Sequence, residues 1–284
     1  MSKNNWLFEI TPKNKLLDFN FKEIWAYRDL LFLFVKRDVI TLYKQTILGP
    51  LWYLIQPLFT SIIFTLVFNK IANIPTNGVP PFLFNLAGIT AWNYFKDCLV
   101  STSDTFKKNE AIFGKVYFPR IIMPLSIVVS NLLKFGIQLT IFFLFYSYFI
   151  FQGMSFSISI AILFLPILII SMGFLGLGLG MIISSMVTKY RDLTFLVSFG
   201  VQLLMYLSAV VYPLEIVEKT MPKYAWIVAY NPMTTVIESF RNIVLRTGDV
   251  TIISSFSVLG ISFVVLIFGM LVFNKTEKSF IDTI

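Results

Sequence analysis

Apolar residues in this chain do not alternate with polar ones; they run in long blocks separated by shorter polar stretches. A membrane-crossing helix needs about 20 predominantly apolar residues. Six blocks come up to that scale: Leu51–Phe68, Phe82–Val100, Ile121–Phe151, Ile158–Val187, Leu193–Val211 and Thr251–Phe273. The third and fourth exceed it and have room to tilt or protrude. The pattern predicts an all-α polytopic membrane protein with six transmembrane helices. Residues 1–48 form a segment ahead of the first span, and residues 49–284 a single transmembrane domain. Met1–Asn20 is too charged, and lacks the apolar core, for a cleavable signal peptide.

Three polar connections carry patterns of their own. On a helical wheel, Ile24–Thr46 places Arg28, Asp29, Lys36, Arg37 and Lys44 on one half. Tyr27, Leu31, Phe34 and Leu42 crowd the other, with Asp38 the misfit. Such an amphipathic helix lies in the inner interface with its cations near anionic headgroups, or meets a partner there. In the loop 102–120, Asp104–Phe113 makes about two and a half helical turns. Lys115-Val116-Tyr117-Phe118-Pro119-Arg120 then leads into the third span, with Pro119 near its start, where proline is tolerated. A mere connector needs only a few residues, so a short exposed helix here suits docking. In the last loop, 213–250, Asn231-Pro232 separates an apolar stretch, Tyr224–Tyr230, from a helical one, Thr234–Leu245. Val236, Ile237, Phe240 and Val244 form the apolar stripe of the latter, and Glu238 and Arg241 an i,i+3 pair on its other side. Each piece is too short to span. Two half-helices dipping in from outside and a helical cap lying on the outer surface both fit.

Composition narrows the class. Of 284 residues, 57% are hydrophobic and 13% charged, about half the roughly 25% charged content of soluble domains. A water-soluble enzyme is excluded. Histidine is absent and Cys98 is the only cysteine, which removes an intramolecular disulfide, a Cys/His zinc site and any histidine-based triad. The net charge of +8 reports orientation and anionic lipid on a membrane protein rather than nucleic acid. Lys3, Lys13, Lys15, Lys22, Arg28, Lys36, Arg37 and Lys44 precede span one; Lys107, Lys108, Lys115 and Arg120 follow span two; Lys189 and Arg191 follow span four; Lys275 and Lys278 follow span six. The opposite side has Lys219, Lys223, Arg241 and Arg246. Sixteen cations against four predict that both termini are cytoplasmic.

Polar residues inside spans face protein or water. Asn131, Lys134 and Gln138 share one face of span three, while Lys96 and Asp97 sit toward the inner end of span two. A salt bridge between Asp97 and Lys134 is one reading. Asp97 is nearly alone as an intramembrane acid, which argues against a proton relay. Span four carries Gly173, Gly176, Gly178 and Gly180, with a GxxxG pair that marks close helix packing. Aromatic residues make up 17% of the chain. Rings in span one (Trp52, Tyr53, Phe59, Phe64, Phe68) and span five (Phe195, Phe199, Tyr206, Tyr212) read either as interface belts or as channel walls that offer flat apolar faces to sugars.

Four stretches, in order, resemble one family. Arg37-Asp38 through Tyr43-Lys44-Gln45-Thr46-Ile47-Leu48-Gly49-Pro50-Leu51-Trp52 is similar to the approach to span one in type 2 ABC exporter permeases. The similarity is to those exporting O-antigen or teichoic acid polysaccharides. Lys115–Arg120 with Pro124-Leu125 resembles the same family's stretch before span three. Tyr206-Leu207-Ser208 with Tyr212-Pro213, and Asn231-Pro232-Met233 with Glu238-Ser239-Phe240-Arg241, resemble its span-five and outer-loop motifs. Ile121 departs from the acidic residue expected after the arginine. The resemblance implies a homodimer bound to two copies of a separate ABC ATPase, in a cell inner membrane, moving lipid-linked polysaccharide. Asp104, Lys107, Lys108, Glu110, Ile112 and Phe113 would then couple to the ATPase. Trp52, Phe59, Phe199, Tyr206 and Tyr212 would line the channel. Arg28, Lys36, Arg37 and Lys44 would attract the lipid pyrophosphate, and Trp226, Pro232, Glu238 and Arg241 would form the outer gate.

The residues agree on one point: no GxxxxGK[ST] motif occurs, so ATP and magnesium belong to a partner and this chain is expected to hold no cofactor or metal of its own. Alternatives are a permease of the same fold for a drug or small lipid, a membrane enzyme acting on lipid-linked sugars, and a non-transporting scaffold. The enzyme reading needs clustered carboxylates; Glu215, Glu218, Glu238 and Asp249 show no metal-like spacing.

Overall fold

A computed structural model describes residues 21–44, 48–113, 118–154, 160–190, 192–247 and 252–281. Lys3, Lys13, Lys15, Gln45, Thr46, Ile47, Gly114, Lys115, Val116, Tyr117, Ile158, Arg191, Asp249 and Thr251, which figure in the sequence reading, lie outside the described residues, as do the Met1–Asn20 segment and the side chains of Leu42, Glu110 and Lys278. All regular structure among the described residues is helical.

The N-terminal amphipathic stretch is two helices, α1 (Phe21–Ala26) and α2 (Arg28–Lys44), broken at Tyr27 rather than continuous from Ile24. A turn at Gly49–Leu51 leads into α3 (Trp52–Phe64), which continues as a π-helix over Thr65–Ile71. Then come α4 (Pro81–Ser103), α5 (Thr105–Phe113), α6 (Ile122–Phe151) and, after a 3-10 turn, α7 (Leu165–Val187). The chain ends through α8 (Leu193–Tyr206), α9 (Leu214–Thr220), α10 (Ala225–Ala229), α11 (Pro232–Leu245) and α12 (Ile252–Ile281).

Among the described residues, four helices are long and apolar enough to cross a membrane: Trp52–Ile71, Ile122–Phe151, Ile160–Val187 and Ile253–Thr276. The other two predicted spans form helices of different character. α4 carries Asn85, Asn93, Lys96 and Asp97, and it tolerates them because it is the pillar of the bundle, packed on α3, α6, α7, α8 and α11. Seventeen of its twenty-three residues are buried. α8 stops after fourteen residues, about 21 Å of helix, so the predicted Leu193–Val211 block is helical only in its first part.

The glycines of α7 do what their spacing predicts. Gly173 faces the Tyr94 hydroxyl, Gly176 the backbone of Phe95 and Leu99, and Gly180 the Thr102 side chain, so one face of α7 lies directly against α4. On the other face Gly178 meets Gly269 and the Val265–Leu266 backbone of α12. Lipid tails are as apolar as the helices, so close van der Waals contact of this kind supplies the association. At the far end of α3, Asn85 on α4 donates to Thr65 Oγ1 at 3.1 Å and to Asn69 Oδ1 at 2.8 Å, and Asn69 donates to the Ile74 carbonyl. This pins the π-helical turns to the pillar.

A Cβ at Gly178 would stand 2.7 Å from the Val265 carbonyl, whereas one at Gly136 meets nothing within 4 Å. Gly178→Val is expected to destabilise the bundle by about 1–3 kcal/mol, the usual scale of overpacking. Gly136→Val should leave thermal unfolding in detergent unchanged. Equal melting temperatures for the two variants would remove α7 as a packing axis.

Candidate functional site

Three regions hold the residues singled out by the sequence. The first is the outer loop. Asn231 caps α11 by accepting from the Met233 amide at 3.0 Å, and its side chain donates to the Leu207 carbonyl at 3.0 Å and to Ser208 Oγ at 2.9 Å. Both acceptors lie just past the end of α8, where the last carbonyls of a helix have no internal partner. Between two and three turns further into α11 comes Arg241, fully buried. Its guanidinium donates to the carbonyls of Ala209 (2.8 Å), Val210 and Tyr212 (3.5 Å) and pairs with Glu238 at 3.3 Å. It lies flat against the Phe84 ring of α4, 3.7 Å from its centre. Gly88, one turn along α4, leaves the space; a side chain there would collide with the guanidinium and the Val210 carbonyl.

The i,i+3 pair of Glu238 and Arg241 read from the sequence forms, and it lies inside the protein. Eleven of the fourteen residues of α11 are buried, against α4, α7 and α12. The periodicity hid this because an arginine is read as polar; here it gathers the carbonyls of the bend that follows α8. Ala209 adopts φ 50°, a left-handed conformation that costs an alanine about 1–2 kcal/mol, and Arg241 holds it. α9 is an element the sequence reading missed; its signal is the Glu215–Lys219 i,i+4 pair, 3.7 Å apart. Trp226 is exposed, and Pro232 occupies the first turn of α11.

The second region is the pair of flanking helices. Only Pro57 and Ser61 of α3, and only Val201 of α8, are buried. Phe59 and Phe199 are each 62% exposed; Trp52 and Tyr206 are also exposed. Tyr212 is half-buried and donates its hydroxyl to the Tyr206 carbonyl. Four of the five channel candidates, Trp52, Phe59, Phe199 and Tyr206, therefore share outward presentation on two little-covered apolar helices, while Tyr212 lies beyond α8 and is turned back onto its end.

The third region lies where α2 and α5 meet the bundle. Asp104 closes α4 and pairs with Lys108 at 3.0 Å; Lys107 and Lys108 are exposed. Ile112 is half-buried. Phe113 is buried, packed with Phe106 and Phe118, so it serves the fold and is not free to touch a partner. Phe34 of α2, Phe118 and Phe273 of α12 complete one aromatic cluster, with Arg120 over the Phe113 ring at 5.2 Å. The i, i+3, i+7 spacing of Phe106, Asn109 and Phe113 was the signal for this buried face. Ile121 is itself buried; an acid there would be desolvated, and Arg120 finds an aromatic partner instead.

On α2, Arg37 pairs with Asp38 at 2.8 Å, which accounts for the misfit acid, and Arg28 lies 3.9 Å from Asp29. Lys36 and Lys44 are exposed. Trp25, Phe32 and Leu33 are exposed as well, so the helix is less cleanly divided than its wheel. The reading of Asp97 with Lys134 is not what forms: Asp97 pairs with Lys96 at 3.6 Å, and Lys134 donates to Asn131 at 2.8 Å.

A family profile described as ABC-2 type transporter matches residues 29–245. Two relatives, each named O-antigen export system permease protein RfbA, from Klebsiella pneumoniae, are 28% identical over 256 and 255 residues, covering 89% of this chain and 94% of each relative. A protein of the same name from Myxococcus xanthus is 24% identical over 222 residues, 78% of this chain and 82% of its own length.

Removing one member of a buried ion pair costs about 3–5 kcal/mol. Arg241→Met is expected to lower the melting temperature sharply and to release the outer loop to protease. A variant with unchanged melting temperature and protease pattern would show that the α8 end is held by something else.

Proposed function

The chain belongs to the ABC-2 type transporter family, and on that premise we propose that it is the permease subunit of an exporter of lipid-linked polysaccharide. O-antigen is favoured over teichoic acid by the names of its relatives. In this reading six helices cross the cytoplasmic membrane, α3, α4, α6, α7, α8 and α12, with both termini cytoplasmic. α4 crosses inside a sheath of other helices, and α8 crosses with the help of the bent segment after it.

The observation that carries the reading is the exposure of α3 and α8. Apolar helices that the rest of the chain leaves uncovered are the ones available to line a passage between two copies. Phe59, Phe199 and Tyr206 would offer ring faces to sugars, which stack without demanding a fixed register and so let a polymer slide. α11, with α9 and α10, would dip in from the outside as the gate, its depth secured by Arg241 and Glu238, while Trp226 faces outward and Pro232 starts the helix.

The energy comes from a separate ATPase, two copies per homodimer, which holds ATP and magnesium. α5 would seat in a cleft of that ATPase through Asp104, Lys107, Lys108, Glu110 and Ile112. Because α5 and α2 rest on one aromatic cluster with α12, a push on α5 would be carried into the bundle as a rigid displacement. The lipid end of the substrate would approach along α2, where Arg28, Lys36, Arg37 and Lys44 are all exposed and Arg28 and Arg37 are held beside acids.

Reconstituted alone in sealed liposomes, the chain is expected to leave a lipid-linked glycan on its starting side, and to move it only with the ATPase and ATP. Movement without the ATPase would overturn the assignment. Tyr206→Ala should slow transport roughly tenfold, the scale of one lost stacking contact, with assembly intact. Lys107→Glu together with Lys108→Glu should abolish stimulation of the ATPase while the permease still inserts; normal stimulation would exclude α5 as the docking element.

A further inference from the structure

Lys134 carries a charge that neither the fold nor the proposed passage uses. It lies on α6, about 18 Å along the helix from Ile122. Its ammonium donates to Asn131 Oδ1 at 2.8 Å and rests 5.4 Å from the centre of the Tyr53 ring on α3. Neither contact is a counter-ion. On α4, which packs against both α3 and α6, Asp97 is engaged by Lys96 at 3.6 Å, and Lys96 also donates to Asn93 at 3.2 Å. α3, α4 and α6 pack pairwise against one another, and these groups line the cleft where the three meet. Among the described residues that cleft holds two cations and one carboxylate, a surplus of one positive charge.

The cleft is open to the outside of the bundle. Lys134 is half-buried, and the Lys96 and Asp97 side chains are 30% and 29% exposed. Its level is set by Tyr53, in the first turn of α3 beside the exposed Trp52 and directly after the turn that follows α2. A Trp–Tyr pair at the start of a span marks the boundary between headgroups and acyl chains. An uncompensated ammonium at that depth is costly and marks a functional site. The face of a tyrosine relieves it only in part. A phosphate group would complete it, since a lysine ammonium is a compact point charge suited to phosphate.

We propose that the cleft between α3, α4 and α6 binds the phosphate group of a lipid in the inner leaflet, with Lys134 as the principal cation, Tyr53 positioning its ammonium and Lys96 as the second cation. The proposal rests on the placement of this end of α3 at the inner leaflet and not on what the protein transports. Two sources supply the same chemistry: a glycerophospholipid of the membrane, or the polyprenyl pyrophosphate that anchors a glycan.

The test is native mass spectrometry of the full chain in a neutral detergent. Phosphatidylglycerol is titrated in one arm, a polyprenyl pyrophosphate in a second and diacylglycerol in a third. Both phosphate lipids are expected to bind and diacylglycerol not. Lys134→Gln should weaken binding about tenfold, the scale of one lost charge-assisted contact, Lys134→Arg should retain it, and Lys219→Gln on the outer loop should have no effect. If Lys134→Gln does not remain monodisperse, Tyr53→Leu replaces it and should weaken binding severalfold. Tighter binding of the pyrophosphate assigns the cleft to the glycan carrier; equal or tighter binding of phosphatidylglycerol assigns it to a resident lipid. Equal affinity of wild type and variant, or diacylglycerol binding as tightly as the phosphate lipids, would overturn the proposal. None of these readings depends on export.

Discussion

The buried guanidinium of Arg241 is the interaction on which the packing of α11 against α4 and the segment after α8 depends. A helix that stops inside an apolar environment leaves carbonyls with no water to accept from, and each such group costs several kcal/mol. α8 stops in that way, and the carbonyls after it are collected by one side chain from α11. Arginine suits the task because its fork of donors serves several acceptors at once and its flat face stacks on Phe84. Glu238 offsets its charge, and Gly88 gives it room. Remove any of these and the bend after α8 has no stable form.

The opposite end is organised by apolar contact instead. α2 and α5 come from distant parts of the chain, yet Phe34, Phe106, Phe113, Phe118 and Phe273 join them in a single cluster. Interiors of this kind transmit displacement because they are close-packed. The glycine-lined contacts of α7 with α4 and α12 connect the two ends. A force applied at α5 thus meets a stiff path toward the bundle centre, whereas α3 and α8 on its flank are bound more loosely. That distribution of rigid and uncovered helices is what the proposed transport function requires.

Much of this was legible in the chain. The six apolar blocks all became helices, within a few residues at most ends, because burial of the backbone in lipid leaves the helix as the economical choice. The GxxxG spacing in α7 predicted its packing, and Asn231-Pro232 predicted the start of α11. The errors lie in side-chain partners rather than in the elements. Arg241 read only as half of an i,i+3 pair with Glu238, since its carbonyl acceptors lie about thirty residues away. Phe113 read as a docking residue, whereas it packs on Phe106 and Phe118 within a cluster that Phe34 and Phe273, from other helices, complete. Asp97 was matched to Lys134, yet its neighbour Lys96 was nearer.

Composition and block length alone determined that this is a helical membrane protein, because transfer of so much apolar surface from water admits little else. The order of four short motifs pointed to the family. Tertiary structure decided which helix is the pillar, which helices stay uncovered, and which charges are inside. Those are properties of pairing between segments, and periodicity within a segment carries information only about its own faces.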